Sequence, residues 1–150
     1  MSKKVTTILI VDDDVGICRT LGLILEEKGY AVQTAHTGKD AIKKSKASVF
    51  NVAILDVKLP DVEGTELLKA LPETTPKMIK IMFTGYPELG NAVKALNEGA
   101  DAYIMKPADP DKILKTIEEK LEQQANADKM TEEKISTFLE ARAQKLLGKL

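Results

Sequence analysis

The 150-residue chain contains one cysteine, Cys18, and one histidine, His36. A single thiol excludes an intrachain disulfide framework, and with only one imidazole beside it a Cys/His zinc site is not expected. A lone thiol also suits a reducing compartment, so a cytoplasmic location is expected. No stretch approaches the roughly twenty apolar residues that a membrane span requires. Met1 to Thr7 leads directly into a strand-like run without the apolar region of an export signal. Net charge is nearly absent, −1 from 22 basic and 23 acidic residues, which points to neither a nucleic-acid partner nor a polybasic membrane anchor. No Pro/Gly-rich linker or low-complexity tract interrupts the chain. At 43% apolar residues there is enough material for one core.

From Thr7 to about Gln123, short β-rich apolar runs alternate with helical patterns. The strands expected are Ile8–Val11, Ala31–Ala35, Val52–Leu55, Met78–Phe83 and Ala102–Met105. Ile17, Leu21, Ile24 and Leu25 form a helical stripe that ends at Gly29, a left-handed stop. Ala41-Ile42, Leu67-Leu68 with Leu71, and Ala92-Val93 with Leu96 mark three shorter helices. A fifth opens at Asp109-Pro110, a cap residue followed by proline at the first helical position, and carries Ile113, Leu114, Ile117 and Leu121. Strands one, three and four are near-continuous apolar runs, as expected where helices cover both faces of a parallel sheet. Five β-α units with short loops predict a doubly wound, flavodoxin-like α/β domain with strand order 2-1-3-4-5 and its ligand site outside the carboxyl ends of the strands.

That edge is where the unusual residues fall. Asp12, Asp13 and Asp14 follow strand one, Asp56 follows strand three, Thr84-Gly85 ends strand four and Lys106-Pro107 ends strand five. Carboxylates gathered at the ends of buried strands repel one another, so a cation is expected among them.

Ile8-Leu9-Ile10-Val11-Asp12-Asp13, Ile54-Leu55-Asp56-Val57-Lys58-Leu59-Pro60-Asp61-Val62-Glu63-Gly64, Phe83-Thr84-Gly85-Tyr86 and Ala102-Tyr103-Ile104-Met105-Lys106-Pro107 closely resemble the receiver domain of two-component response regulators. The motifs occur in the family's order and spacing between Lys4 and about Gln123. The resemblance implies that Asp56 is the phosphoacceptor. It implies that Asp12 and Asp13, with Asp56 and the backbone carbonyl of Lys58, hold Mg²⁺, a cation suited to carboxylate, carbonyl, water and phosphate oxygens. It also implies that Lys106 and Thr84 bind phosphoryl oxygens, that Tyr103 turns inward on activation, and that Pro107 follows a cis peptide. A sensor histidine kinase or phosphotransfer protein would be the donor and a downstream protein the target, with no direct nucleic-acid contact and no membrane insertion. Lys58 and Tyr86 stand where side chains govern the approach of water, and they suggest a long-lived acyl phosphate. Such a domain is a signalling phosphoacceptor rather than an enzyme.

Plainer readings stand beside these. Asp14 reads as the cap of the first helix rather than a third ligand, Cys18 as packing, and His36 as a surface loop residue without partner groups. Asp61 and Glu63 read as turn and helix-start residues, and Tyr103 could be a half-buried strand aromatic. A metal-dependent phosphohydrolase of the haloacid-dehalogenase type uses similar residues, but it places its nucleophile after strand one. A flavin-binding relative would need a phosphate loop after strand one that is missing here.

The expected division is a receiver domain over 1–123 and an amphipathic helical tail over 124–150. In the tail, Ile135, Phe138, Leu139, Leu146 and Leu150 lie broadly on one face. Three readings are open: a solvated helix continuing or folding back from helix five, self-association through this face, or docking of a signalling partner. About 27 residues after the receiver leave no room for a helix-turn-helix output domain, so output through protein contact is expected.

Overall fold

The computed structural model describes residues 4–85 and 89–148. Ten elements alternate in chain order: β1 (Thr7–Val11), α1 (Val15–Glu27), β2 (Ala31–Ala35), α2 (Gly38–Ala47), β3 (Val52–Leu55), α3 (Gly64–Ala70), β4 (Ile79–Thr84), α4 (Leu89–Asn97), β5 (Ala102–Met105) and α5 (Pro110–Leu147). The sheet is parallel throughout, in the order β2-β1-β3-β4-β5, as the alternating pattern predicts. Its centre is the apolar material of β1, β3 and β4. Leu9, Ile10, Ile54, Leu55, Ile81 and Met82 are buried, each removing side-chain surface worth roughly 1.5–3 kcal/mol from water. The edge strand β2 instead alternates exposed and partly buried positions, so only one of its faces is covered.

Local signals set the element ends. Asp14 caps α1 by accepting a hydrogen bond from the Ile17 amide at 3.1 Å, and Gly29 ends the helix at φ +94°, a conformation that favours glycine. Asp109 accepts from the Asp111 amide at 2.9 Å and starts α5. β4 runs one residue further than the apolar pattern indicates and includes Thr84; it also buries Lys80, whose ammonium donates to the Leu68 carbonyl at 3.1 Å. Burial pushes that lysine's pKa down.

Of the readings open for the tail, the structure shows the one in which it continues helix five: α5 is one helix of 38 residues. No glycine or proline occurs between Pro110 and Gly148, and alanines at 125 and 127 favour helix. Val93 and Leu96, part of the apolar signal for α4, are about half exposed, while Ala95 is the buried position. The chain divides into two compact units, Met1–Ile117 and Glu118–Leu150. In the first, Ile113, Leu114 and Ile117 of α5 are buried; in the second, the described residues are largely exposed.

Candidate functional site

The parallel sheet brings the ends of β1, β3, β4 and β5 to one edge, and a crevice of about 450 Å³ there is lined by Asp12, Asp13, Asp14, Ile17, Asp56, Lys58, Gly85 and Lys106. Register explains the meeting: Val11 pairs with Leu55, so the residues that follow, Asp12 and Asp56, leave adjacent strands side by side. The Asp56 amide donates to the Val11 carbonyl at 3.0 Å and the Asp12 amide to the Ala35 carbonyl at 3.0 Å. Both acids are thereby held by ladder-type hydrogen bonds one step beyond the strands.

Carboxylate oxygens of Asp12, Asp13 and Asp56 lie within 4.8 Å of one another. Asp12 and Asp56 are buried and Asp13 is exposed. Lys106 Nζ bridges the two buried acids, at 2.5 Å from Asp12 Oδ2 and 3.3 Å from Asp56 Oδ2, and lies 5.3 Å from the centre of the Phe83 ring. The lysine therefore sits closer to Asp12 than to the expected acceptor, a position from which one ammonium lowers the repulsion between both acids. Burial raises the Asp12 carboxyl above its usual range, and the hydrogen bond from Lys106 does not fully offset it. For Lys106 burial works in the lowering direction, but the hydrogen bond and charge of Asp12, with those of Asp56, prevail and raise it.

Such a set of oxygens suits a hard divalent cation. Asp12, Asp13 and Asp56 supply carboxylates, and the backbone of Lys58 passes the same crevice, its amide 3.4 Å from Asp56 Oδ1. Thr84 is fully buried at the end of β4, and its carbonyl accepts from the Lys106 amide at 2.7 Å. The Lys106–Pro107 peptide is cis. Tyr103, opposite Met82 on β4, is half-buried and packs against the core. Asp14 lines the crevice as well as capping α1. Tyr86 lies outside the described residues.

Four residues, Gly64, Asp61, Thr37 and His36, have contacts that the sequence does not signal. Gly64 N donates to the Val57 carbonyl at 2.6 Å, and a Cβ on Gly64 would fall 2.0 Å from the carbonyl oxygen of Asp56; only glycine fits against the Asp56 backbone. Asp61 is more than a turn residue: its carboxylate accepts from the Gly38 and Lys39 amides at 2.8 and 2.9 Å. These backbone bonds hold its pKa below the usual range. Thr37 accepts from the Asp40 amide, so the first three amides of α2 are all satisfied. His36 is the clearest correction. It is half-buried, with Nδ1 3.0 Å from the Asp12 carbonyl and 3.8 Å from Cys18 Sγ, because the turn after β2 lies beside the end of β1. Cys18 is packed as expected, and burial pushes its thiol up to about 11.

A family model described as "Response regulator receiver domain" matches residues 8–118. The chain is 36% identical over 121 residues to the transcriptional regulatory protein ZraR of Klebsiella oxytoca, a match spanning 81% of this chain and 27% of that protein. The chain thus spans about a quarter of the length of such curated relatives. Among solved structures, a CheY-like receiver domain protein from Methanospirillum hungatei JF-1 superposes with a TM-score of 0.79 at 48% identity, covering 83% of this chain and 99% of that one. A response regulator from Burkholderia pseudomallei, solved with a phosphorylated aspartic acid, a calcium ion and citrate, gives 0.69 at 35% identity over 73% of this chain and 64% of that one.

Proposed function

The chain belongs to the response regulator receiver family, and from that premise we propose that Asp56 accepts a phosphoryl group from the phosphohistidine of a sensor kinase or phosphotransfer protein. One observation carries the reading: three carboxylates and one ammonium converge at the carboxyl edge of the sheet. A carboxylate ionised at neutral pH can attack phosphorus without a general base. An Asp56 oxygen forms the new P–O bond, the donor's P–N bond breaks, and the departing imidazole nitrogen keeps the electron pair and takes up a proton.

The obstacle is the approach of one anion to another. Asp12, Asp13 and Asp56, with the Lys58 carbonyl, would hold Mg²⁺, which when bound offsets the charge of the acids and of the incoming phosphoryl oxygens. Lys106 moves from the two acids to a phosphoryl oxygen, and the Thr84 hydroxyl donates to another. That displacement gives the signal a physical route. Thr84 and Lys106 end adjacent strands, and Tyr103 lies on the second of these, so a pull on the first two shifts the population of Tyr103 positions and of the surface around it. Residues 1–123 act as the receiver and 124–150 as a helical extension. The signal passes from the receiver to a protein target in the cytoplasm. The phosphohydrolase alternative has no comparable support: the receiver model matches residues 8–118, and the acid at its acceptor position, Asp56, follows the third strand rather than the first.

The test uses acetyl phosphate with Mg²⁺ and intact mass spectrometry. Wild type gains a single phosphate in a magnesium-dependent way and Asp56→Asn does not. Equal labelling of the two proteins refutes the assignment.

A further inference from the structure

The second unit of the chain presents an apolar face whose charges have an order of their own. Along α5, Asp128, Glu132, Ile135, Leu139, Arg142 and Leu146 follow spacings of three and four residues, so all six share one face of the helix. Ile135, Leu139 and Leu146 are each more than half exposed, as is Phe138 beside them, and a contiguous stripe of this kind favours burial against a partner. The stripe is acidic before Ile135 and basic after Leu139. The surrounding sequence repeats that division: residues 118–133 carry six acidic and two basic side chains, residues 134–150 one acidic and four basic. The helix dipole does not account for this, since its influence is confined to the first and last turns, and residues 118–133 lie in the interior of α5.

We propose that this helix pairs with the same helix of a second copy in antiparallel orientation, about a two-fold axis passing near Thr137. Residues whose numbers are symmetric about 137 then meet. Ile135 packs on Leu139 of the second copy, Phe138 lies beside the axis, and Glu132 meets Arg142. An isologous interface repeats each contact, so the Glu132–Arg142 pair occurs twice. Charge complementarity selects both the occupant and the orientation. Parallel, in-register pairing of the same stripe sets Asp128 and Glu132 against their own copies and Arg142 against itself, and like charges on a seam are unfavourable. The antiparallel arrangement buries Ile135, Phe138 and Leu139 at its centre and sets Glu132 against Arg142 on either side, while Asp128 and Leu146 meet at its outer ends.

Sedimentation velocity over a concentration series tests this with the full chain in four forms: wild type, Arg142→Glu, Glu132→Arg, and the doubly exchanged Glu132→Arg/Arg142→Glu. Position 132 and position 142 are exposed, and far-ultraviolet circular dichroism verifies that each form keeps its helix. The wild type is expected to dimerise, each single reversal to weaken association by at least about tenfold, and the double exchange to restore it. A wild type that stays monomeric up to about 100 μM, well past the range of specific association, overturns the proposal. So do single reversals that leave association unchanged, which would place any dimer contact elsewhere. Failure of the double exchange to recover the dimer overturns the antiparallel orientation.

Discussion

Replacing Gly64 with alanine tests whether the Asp56 backbone is held by close packing. The added Cβ would stand 2.0 Å from the Asp56 carbonyl oxygen, 2.9 Å from its carbon and 3.0 Å from the end of Met82. The methionine can turn aside, but the carbonyl belongs to the backbone between β3 and the crevice, so either Asp56 or the start of α3 must move by about 1 Å to reach ordinary contact. Overpacking of this kind typically costs about 1–3 kcal/mol. A rigid neighbour argues for the top of that range, a fall of about 10 °C in melting temperature. The same displacement shifts the Asp56 carboxylate relative to Asp12, and a misplacement of about 1 Å is enough to slow a positioned reaction by up to about 100-fold. Gly29→Ala is the control. It meets nothing within 4 Å but must adopt φ +94°, so it loses about 1 kcal/mol without touching the site. Melting curves and the rate of labelling by acetyl phosphate are measured for both. If Gly64→Ala melts within about 2 °C of wild type and is labelled at the wild-type rate, the close approach to Asp56 has been misread.

Lys106→Met leaves two adjacent acids without their ammonium. Breaking a buried pair costs about 3–5 kcal/mol, and the opening of this crevice to water reduces the expectation to about 2 kcal/mol at neutral pH. Because the folded pKa of Lys106 is raised above its ordinary 10.5, the contribution is fully present below that value and is lost as pH rises through the folded pKa. Chemical denaturation should therefore show a constant gap between variant and wild type up to about pH 10 that narrows beyond it; a gap already closing near neutrality contradicts the ion pair. Asp61→Ala removes the acceptor for two amides of α2 and lowers the melting temperature. The Asp61 pKa is depressed below its ordinary 3.8, so the difference persists above that value and fades as pH falls through the folded pKa; a difference unchanged at about pH 2 rules out the carboxylate as its source. With a pKa of about 11, Cys18 is thiolate in only about one molecule in ten thousand at pH 7. Native protein should resist an aromatic disulfide reagent that labels the urea-unfolded chain quickly, and equal rates would mean that the thiol is not buried.

What the sequence conveys and what it conceals divide by the range of the interaction. Val52–Leu55 is readable as a central strand because both of its faces are buried, which leaves no polar position in four residues. Asp14 and Asp109 are readable as caps because a helix cap is satisfied within three residues. Convergence of Asp12 and Asp56 needed only the strand order. Lys80 is different: its ammonium is buried because the Leu68 carbonyl, twelve residues earlier, turns toward it, and nothing near Lys80 in the chain signals that. Asp61 reaches across 23 residues to cap α2, although a helix opening Thr37-Gly38-Lys39 has no local acceptor for its first two amides and that lack was a usable sign. His36 meets the Asp12 carbonyl only because β1 and β2 are neighbours in register. The length of α5 is legible in the lack of glycine and proline between Pro110 and Gly148.

Asp12 is tied at every polar atom. Its amide donates to Ala35, its carbonyl lies against His36 and Cys18, Oδ1 accepts from the Asp14 amide and Oδ2 from Lys106. The freedom of this side chain is surrendered when the chain folds, before any ligand arrives. A ligand entering the crevice therefore spends little of its interaction energy on ordering the protein. Affinity and folding stability then become linked quantities: substitutions that loosen the β1 and β2 ends far from the carboxylates weaken binding through entropy, without removing a single ligand atom.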